Sequence, residues 1–339
     1  MTSFAWGSAL SLVMLLTACS SSNPASSGTG GSSGTGGGGG GTGGEAGAPP
    51  VIDPALFDCT AKKDPARVNP VPITCATDPA CATHLVSGHR GAGGELGVIA
   101  PEDTVAAVRA AIALGIDFVE TDPRPTKDGV LVNVHDTNVD RIADGTGEVS
   151  DLTLAEIKAL TLKTDRFPGD FSCERIPTLK EVLTAAKGKV HVLVDANKTD
   201  QVDLLVGAIV ETGTLDWAIF DTSSVDKIDQ ALVIEPSLHT MLRVTGTDDL
   251  KAQLDHFAAH PPVLIEVEKG SDTAALIPAI HAAKNRAMTD VFASDVAANL
   301  SHDPKVYETY LTEGYDVLQS DRPDIVLATL GRWPPAAQP

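Results

Sequence analysis

Short apolar runs that finish in titratable side chains recur along this chain, with helical stretches between them. The first three are LVSGHR at 85–90, IDFVETD at 116–122 and VLVNVHD at 130–136. A buried strand that ends in charge presents that charge at one rim of a sheet or barrel. PEDTVAAVRAAIALG, between the first two runs, has Pro101 and acidic residues at its start, alanine-rich helical composition, and Gly115 as its stop. Further runs follow at VHVLVDA (190–196), WAIFDT (217–222), HTMLRV (239–244), VLIEVE (263–268), VFASD (291–295) and YDVLQSD (315–321). Helix starts are punctuated consistently, with capping-box patterns at Thr153/Glu156 and Thr178/Glu181. The alternation predicts a parallel sheet with helices outside, an α/β chain folded as a TIM-type (β/α)8 barrel over 85–330 with function at its C-terminal rim. Nine runs compete for eight places, and 263–268 is the first suspect for an accessory strand. A doubly wound open sheet is the runner-up, weakened because no Gly-rich phosphate loop follows the first strand.

What precedes the barrel belongs to a different regime. Residues 1–19 contain no Lys or Arg, an apolar run from Leu10 to Leu16, and then Leu16-Thr17-Ala18-Cys19. The run is too short to span a bilayer and suits a signal-peptide core. Leu-Thr-Ala-Cys resembles a bacterial lipobox, which would make Cys19 a lipidated residue and tether the protein to the cell envelope without spanning it. A plain secretory signal is the alternative. Residues 20–50 are almost all Gly, Ser, Thr, Ala and Pro, a flexible tether whose mean reach as a random coil is ~30 Å. Residues 51–84 read as an N-terminal extension and 331–339 as a tail. Cys59, Cys75, Cys81 and Cys173 are compatible with two disulfides in any of three pairings, and no CxxC pair suggests a zinc site. The net charge of −20 repels nucleic acid and anionic headgroups, so an anionic substrate needs local neutralisation by a cation.

The densest chemistry lies between His89 and Asp136. Glu120 and Asp122 are two apart on a strand and project to one face, where two carboxylates repel unless a cation or proton sits between them. Asp195, ending VHVLVDA, is the natural third ligand, and an all-oxygen set favours Mg²⁺ or Ca²⁺ over zinc. His89 and His135 end the first and third runs, and histidine can act as base or acid near neutral pH. Arg90 can fork onto phosphate oxygens or pair with Glu102 or Asp122. Glu102 sits near a helix start, where it favours the helix dipole or takes a supporting role at the rim. Asp295 and Glu268 end runs of their own and are further candidates for the pocket lining.

Several pieces together carry a family resemblance: His89-Arg90-Gly91, Pro101-Glu102-Asp103-Thr104, Glu120-Thr121-Asp122, Thr126-Lys127-Asp128-Gly129, His135-Asp136, Asp140-Arg141, Gly145-Thr146-Gly147, and Gly314-Tyr315-Asp316 through Asp324. In order and spacing they resemble the glycerophosphodiester phosphodiesterase family over roughly 85–330, thinly between 200 and 300. The resemblance implies metal-dependent hydrolysis of a glycerophosphodiester to glycerol 3-phosphate and an alcohol, with His89 and His135 as general acid and base; we expect His135 to be the acid. It also implies a departure. Where the family carries Glu-x-Lys, this chain has Asp195 at the acid and Asn197 at the lysine, and Lys198 would point elsewhere on an ideal strand. Cleavage of intact phospholipids by a related barrel, with an internal hydroxyl as nucleophile, and a catalytically inactive ligand-binding surface lipoprotein are the alternatives.

Overall fold

Every second residue of eight short strands faces one interior, and these positions fall into two layers of opposite character. A computed structural model describes residues 52–67, 72–268, 272–301 and 303–333; the expected signal and tether lie outside them. The strands are β1 (Leu85–Gly88), β2 (Phe118–Thr121), β3 (Pro123–Pro125), β4 (Leu131–Asn133), β5 (His191–Asp195), β6 (Ala218–Asp221), β7 (His239–Val244), β8 (Leu264–Val267), β9 (Ala287–Asp290) and β10 (Val317–Ser320). All but β3 and β4 pair in parallel in the order β1-β2-β5-β6-β7-β8-β9-β10, and β10 closes back on β1. This is a TIM (β/α)8 barrel.

The lower layer takes one apolar side chain from each strand: Leu85, Phe118, Leu193, Ile219, Met241, Leu264, Met288 and Val317 form one buried cluster. Two residues further on stand Ser87, Glu120, Asp195, Asp221, Arg243, Glu266, Asp290 and Gln319. A strand returns its side chains to the same face every two residues, so an apolar floor lies directly beneath a polar ceiling. Cys75 and Ala76 pack against the floor and close it from below. Cys75 is disulfide-bonded to Cys81, and Cys59 to Cys173, which selects one of the three pairings left open by the sequence.

Three strand assignments change. VLIEVE, suspected as accessory, supplies the barrel strand β8. The extra run is instead 130–136, whose β4 pairs antiparallel with β3 in a hairpin outside the barrel. It reads like a barrel strand because both its faces are covered: Leu131 belongs to the main core, while Val132 joins Val134, Val139, Ala143, Val149, Ile157 and Ile176 in a separate core. That second core holds together the excursion between β2 and β5. VFASD lies mostly in the helix Phe292–Ser301, and the strand there is Ala287-Met288-Thr289-Asp290, too short and too weakly apolar to stand out.

Helix punctuation follows the sequence closely. Both capping boxes form, at Thr153/Glu156 and Thr178/Glu181, each of a kind worth about 1 kcal/mol. The helix after β1 runs Val105–Leu114 and ends at Gly115 with φ 76°, the left-handed conformation that glycine adopts without penalty. Its N-cap is Thr104, so Pro101–Asp103 form a turn at the rim and not the first helical turn.

Candidate active site

β1 ends at a tight turn that places two functional side chains at once. A Cβ on Gly88 would fall 1.9 Å from the Gly91 carbonyl oxygen, so only glycine permits the turn. Arg90 takes φ 51° there, a left-handed conformation costing a non-glycine residue about 1 kcal/mol. Its backbone N–H donates to Glu120 Oε2 at 3.0 Å, which locks the turn to β2.

Glu120, Asp122 and Asp195 bring one carboxylate oxygen each to within 4.8 Å of one another, and all three are buried. Asp122 Oδ2 has no hydrogen-bond partner. Burial, followed by the charges of Asp122, Asp103 and Asp195, pushes the Glu120 carboxyl well above the ordinary carboxylate range. Three crowded oxygen donors with a buried lone pair unmet suit a hard divalent cation, so the residues fit the ion that the sequence anticipates.

The two histidines approach from different scaffolds. His89 follows β1, whereas His135 follows the β3–β4 hairpin, outside the barrel; their ring centroids are 6.5 Å apart and nearly perpendicular. Val134 N–H donates to Asp122 O at 3.0 Å and Arg124 donates to His135 O at 2.7 Å, which pins the hairpin over the rim. Each imidazole has its Nδ1 on a carboxylate, His89 to Asp321 at 2.6 Å and His135 to Asp136 at 2.9 Å. Burial is the largest single influence on His89 and works against its protonation, but the hydrogen bond to Asp321 together with the charges of Asp321 and Asp290 raises the pKa; for His135 burial prevails and lowers it.

Arg90 meets both of its expected partners, with Nη1 3.0 Å from Glu102 Oε1 and Nε 3.6 Å from Asp122 Oδ2. Glu102 spends its carboxylate on arginines and not on the helix end: Arg141 donates to it at 2.8 and 2.6 Å and also to Asp136 at 2.7 Å. A chain of alternating charge thus links Asp122, Arg90, Glu102, Arg141 and Asp136 to His135.

Lys198 corrects the sequence reading. β5 ends at Asp195 and residues 196–198 turn into a 3₁₀ helix, so residue 198 comes round to the side of Asp195. Its Nζ lies 3.3 Å from Asp122 Oδ1 and 3.9 Å from Asp195 Oδ2. Asn197 accepts from Thr222 and Ser223 and donates to Asp195, so its amide braces the other oxygen of that carboxylate, Oδ1, and offers no cation. The ideal-strand assumption failed because the strand had already ended.

A cavity of about 370 Å³ opens over these groups. Glu268 lines it as expected, whereas Asp295 does not; it sits buried on the helix below, accepting from Tyr307, Ser320 and the Asp321 backbone. Sequence reasoning missed Arg243 and Glu266, which line the cavity, as well as Asp221 and Asp321, which hold the lining residues Arg243 and His89. Arg243 forks onto Asp221 at 2.9 and 2.7 Å, with Glu266 at 3.2 Å from Nε. The signal was available: each of Asp221, Arg243 and Glu266 stands two residues after a floor residue of its strand.

Comparison with known proteins places this geometry. A glycerophosphodiester phosphodiesterase of Caldanaerobacter subterraneus is 48% identical over 98 residues, covering 29% of this chain and 38% of that protein. Two solved structures share the fold: a glycerophosphoryl diester phosphodiesterase from Parabacteroides distasonis (24% identity, TM-score 0.66, 78% of this chain and 92% of that one), and an Oleispira antarctica phosphodiesterase in complex with the product sn-glycerol-3-phosphate (21% identity, TM-score 0.61, 75% and 99%). The glycerophosphoryl diester phosphodiesterase family model matches residues 89–286, more than half of the sequence and the span that carries both histidines and the three carboxylates, and the chain belongs to that family.

Proposed function

We propose that this protein hydrolyses glycerophosphodiesters to glycerol 3-phosphate and an alcohol. The observation that carries the reading is the convergence of His89, His135, Glu120, Asp122 and Asp195 on one cavity. A divalent cation, Mg²⁺ or Ca²⁺, held by the three carboxylates would supply Lewis acidity toward the phosphoryl oxygens. The chain's own residues do the rest. His89 and His135, each with Nδ1 engaged, keep Nε2 for proton transfer, one as base toward the attacking oxygen and the other as acid toward the leaving alkoxide. Arg90 orients Asp122, and Lys198 offers an ammonium at the edge of the cluster to neutralise phosphate charge. Lys198 also supplies the cation that Asn197 lacks, which weakens the reading as an inactive binder.

The cavity wall bears on the choice of substrate. Of the thirteen residues lining it, all described, only Val267 is apolar. An acyl chain finds little apolar surface to bury there beyond Val267. This favours a water-soluble, deacylated diester over an intact phospholipid. The test is release of glycerol 3-phosphate from a glycerophosphodiester, with and without EDTA. We expect chelation to abolish release and Mg²⁺ or Ca²⁺ to restore it. Full release in excess EDTA would falsify the metal-assisted reading, and absence of release under every metal would end the hydrolase reading.

We further propose attachment to the envelope membrane through Cys19, resting on Leu16-Thr17-Ala18-Cys19 and the Gly/Ser tract. Mass spectrometry of the mature protein should find an acylated Cys19, and Cys19→Ser should release the protein from membranes. An unmodified Cys19 sinks the proposal.

A further inference from the structure

The glycine-rich stretch after His89-Arg90 has so far no role, and its geometry points to the histidine beside it. A Cβ on Gly94 would fall 2.5 Å from Asp321 Oδ1 and 2.9 Å from His89 Nδ1, closer than a Cβ approaches any heavy atom it is not bonded to. The loop therefore leaves room for one particular contact, the 2.6 Å hydrogen bond between His89 Nδ1 and Asp321 Oδ1. Asp321 is 1% exposed and fixed from three sides. Gly94 N–H donates to Oδ1 at 3.1 Å, Leu96 N–H donates to Oδ2 at 2.8 Å, and its own N–H donates to Asp295 Oδ2 at 2.7 Å. Asp295 is held in turn by Tyr307 Oη at 2.6 Å and Ser320 Oγ at 2.5 Å. The other pair is looser, because the Asp136 side chain is 29% exposed and shared with Arg141.

We propose that Asp321 is the positioning residue of His89, and that Gly94 keeps the space in which the pair closes. A carboxylate only accepts hydrogen bonds, so Nδ1 carries the proton and Nε2 faces the cavity, free to accept a proton when the ring is neutral and to donate one when it is charged. Nε2 lies 3.8 Å from Glu120 Oε2, which places it beside the metal cluster without ligating distance. Asp321 touches no reacting atom; it fixes tautomer and ring plane. The proposal rests on the assignment of His89 to proton transfer, and the experiment separates the two.

The imidazole nitrogens of the full-length, Mg²⁺-loaded protein are followed by ¹⁵N–¹H NMR alongside steady-state kinetics on a glycerophosphodiester. Wild type should show His89 as the Nδ1–H form with a downfield proton. Asp321→Asn keeps the shape but cannot keep the bonding, since each carboxylate oxygen already receives a backbone N–H and the new NH₂ must face a donor. It should lose the Nδ1–H signature and about 10²-fold in kcat, with KM and Mg²⁺ affinity within about threefold, as an amide in place of an orienting carboxylate favours the wrong tautomer. Gly94→Ala, which leaves Asp321 intact, should give the same split with a smaller fall in kcat and serves if the Asn variant does not fold. The wild-type tautomer and kcat persisting in both variants overturns the proposal, as does loss of Mg²⁺ affinity in step with kcat. Should the tautomer change while His89→Ala keeps full turnover, the positioning contact stands and the catalytic assignment of His89 falls.

Discussion

Two acidic clusters occupy equivalent strand-end positions on the barrel rim, and they differ in what lies between their carboxylates. On the β2–β5 side, Glu120, Asp122 and Asp195 converge with cations only at the edge, Lys198 at 3.3 Å and Arg90 Nε at 3.6 Å from Asp122, and Arg243 Nη2 at 3.8 Å from Asp195. On the β6–β8 side, Arg243 is seated between Asp221 and Glu266 and contacts both. The guanidinium fills the second cluster, whereas the first retains a buried oxygen, Asp122 Oδ2, with no hydrogen bond. Acids at a barrel rim are thus distinguished by their partner and not by their number. The first cluster could hold a divalent ion; the second is closed by its own arginine.

The largest expected effect comes from removing charge at the open cluster. Asp122→Asn should cost about 10³-fold or more in hydrolysis and weaken divalent binding in calorimetry, since charge stabilisation by a metal is worth several kcal/mol. Asp221→Asn should leave the divalent stoichiometry unchanged. Equal loss of metal in both variants would erase the distinction.

His89→Ala and His135→Ala should each cost about 10²-fold in turnover of an alkyl diester while metal binding stays near wild type. A nitrophenyl leaving group departs without protonation, so it should partly rescue whichever variant has lost the acid and thereby identify it. If both variants lose metal affinity along with activity, the histidines belong to the ion and not to proton transfer.

Arg243→Ala tests the closed cluster through stability. It leaves Asp221 buried without its bidentate partner; burial raises both carboxyls, Glu266 to about 8 and so mostly protonated at pH 7, and the lost counter-charge falls on Asp221. We expect a loss of about 3 kcal/mol in urea unfolding at pH 7, the usual penalty for breaking a buried pair from one side. A variant within 1 kcal/mol of wild type would show that Arg243 is solvated there and no internal salt exists.

The smallest effect concerns Asp136. The hydrogen bond from Arg141 holds its carboxyl down at about 2. The unfolded value is about 3.9, so the unfolded chain binds the extra proton between the two and stability rises with pH across that window. Asp136→Asn should therefore lose about 1 kcal/mol above pH 5, after solvent screening, and progressively less as pH falls toward 2. An unfolding deficit independent of pH would mean that shape and not charge makes the contact.

Amino-acid order alone determined the periodic features. The alternation of strand and helix, both capping boxes, the Gly115 stop and the same-face placement of Glu120 and Asp122 follow from local rules of period and cap, which need no partner from elsewhere in the chain. His89, His135, Glu120, Asp122 and Asp195 were legible because each closes an apolar run. Tertiary structure alone decided the rest. A run buried on both faces looks the same in a barrel and in a hairpin, so 130–136 could not be told from a barrel strand until the second core beneath it was seen. Lys198 enters the site because β5 stops at Asp195, and where a strand stops depends on the neighbours that pair with it. Arg243 lies 22 residues from Asp221 in sequence and closes on it at 2.7 Å, and Asp321 reaches His89 across 232 residues. Such partners are fixed by barrel closure, a long-range event that no local pattern encodes.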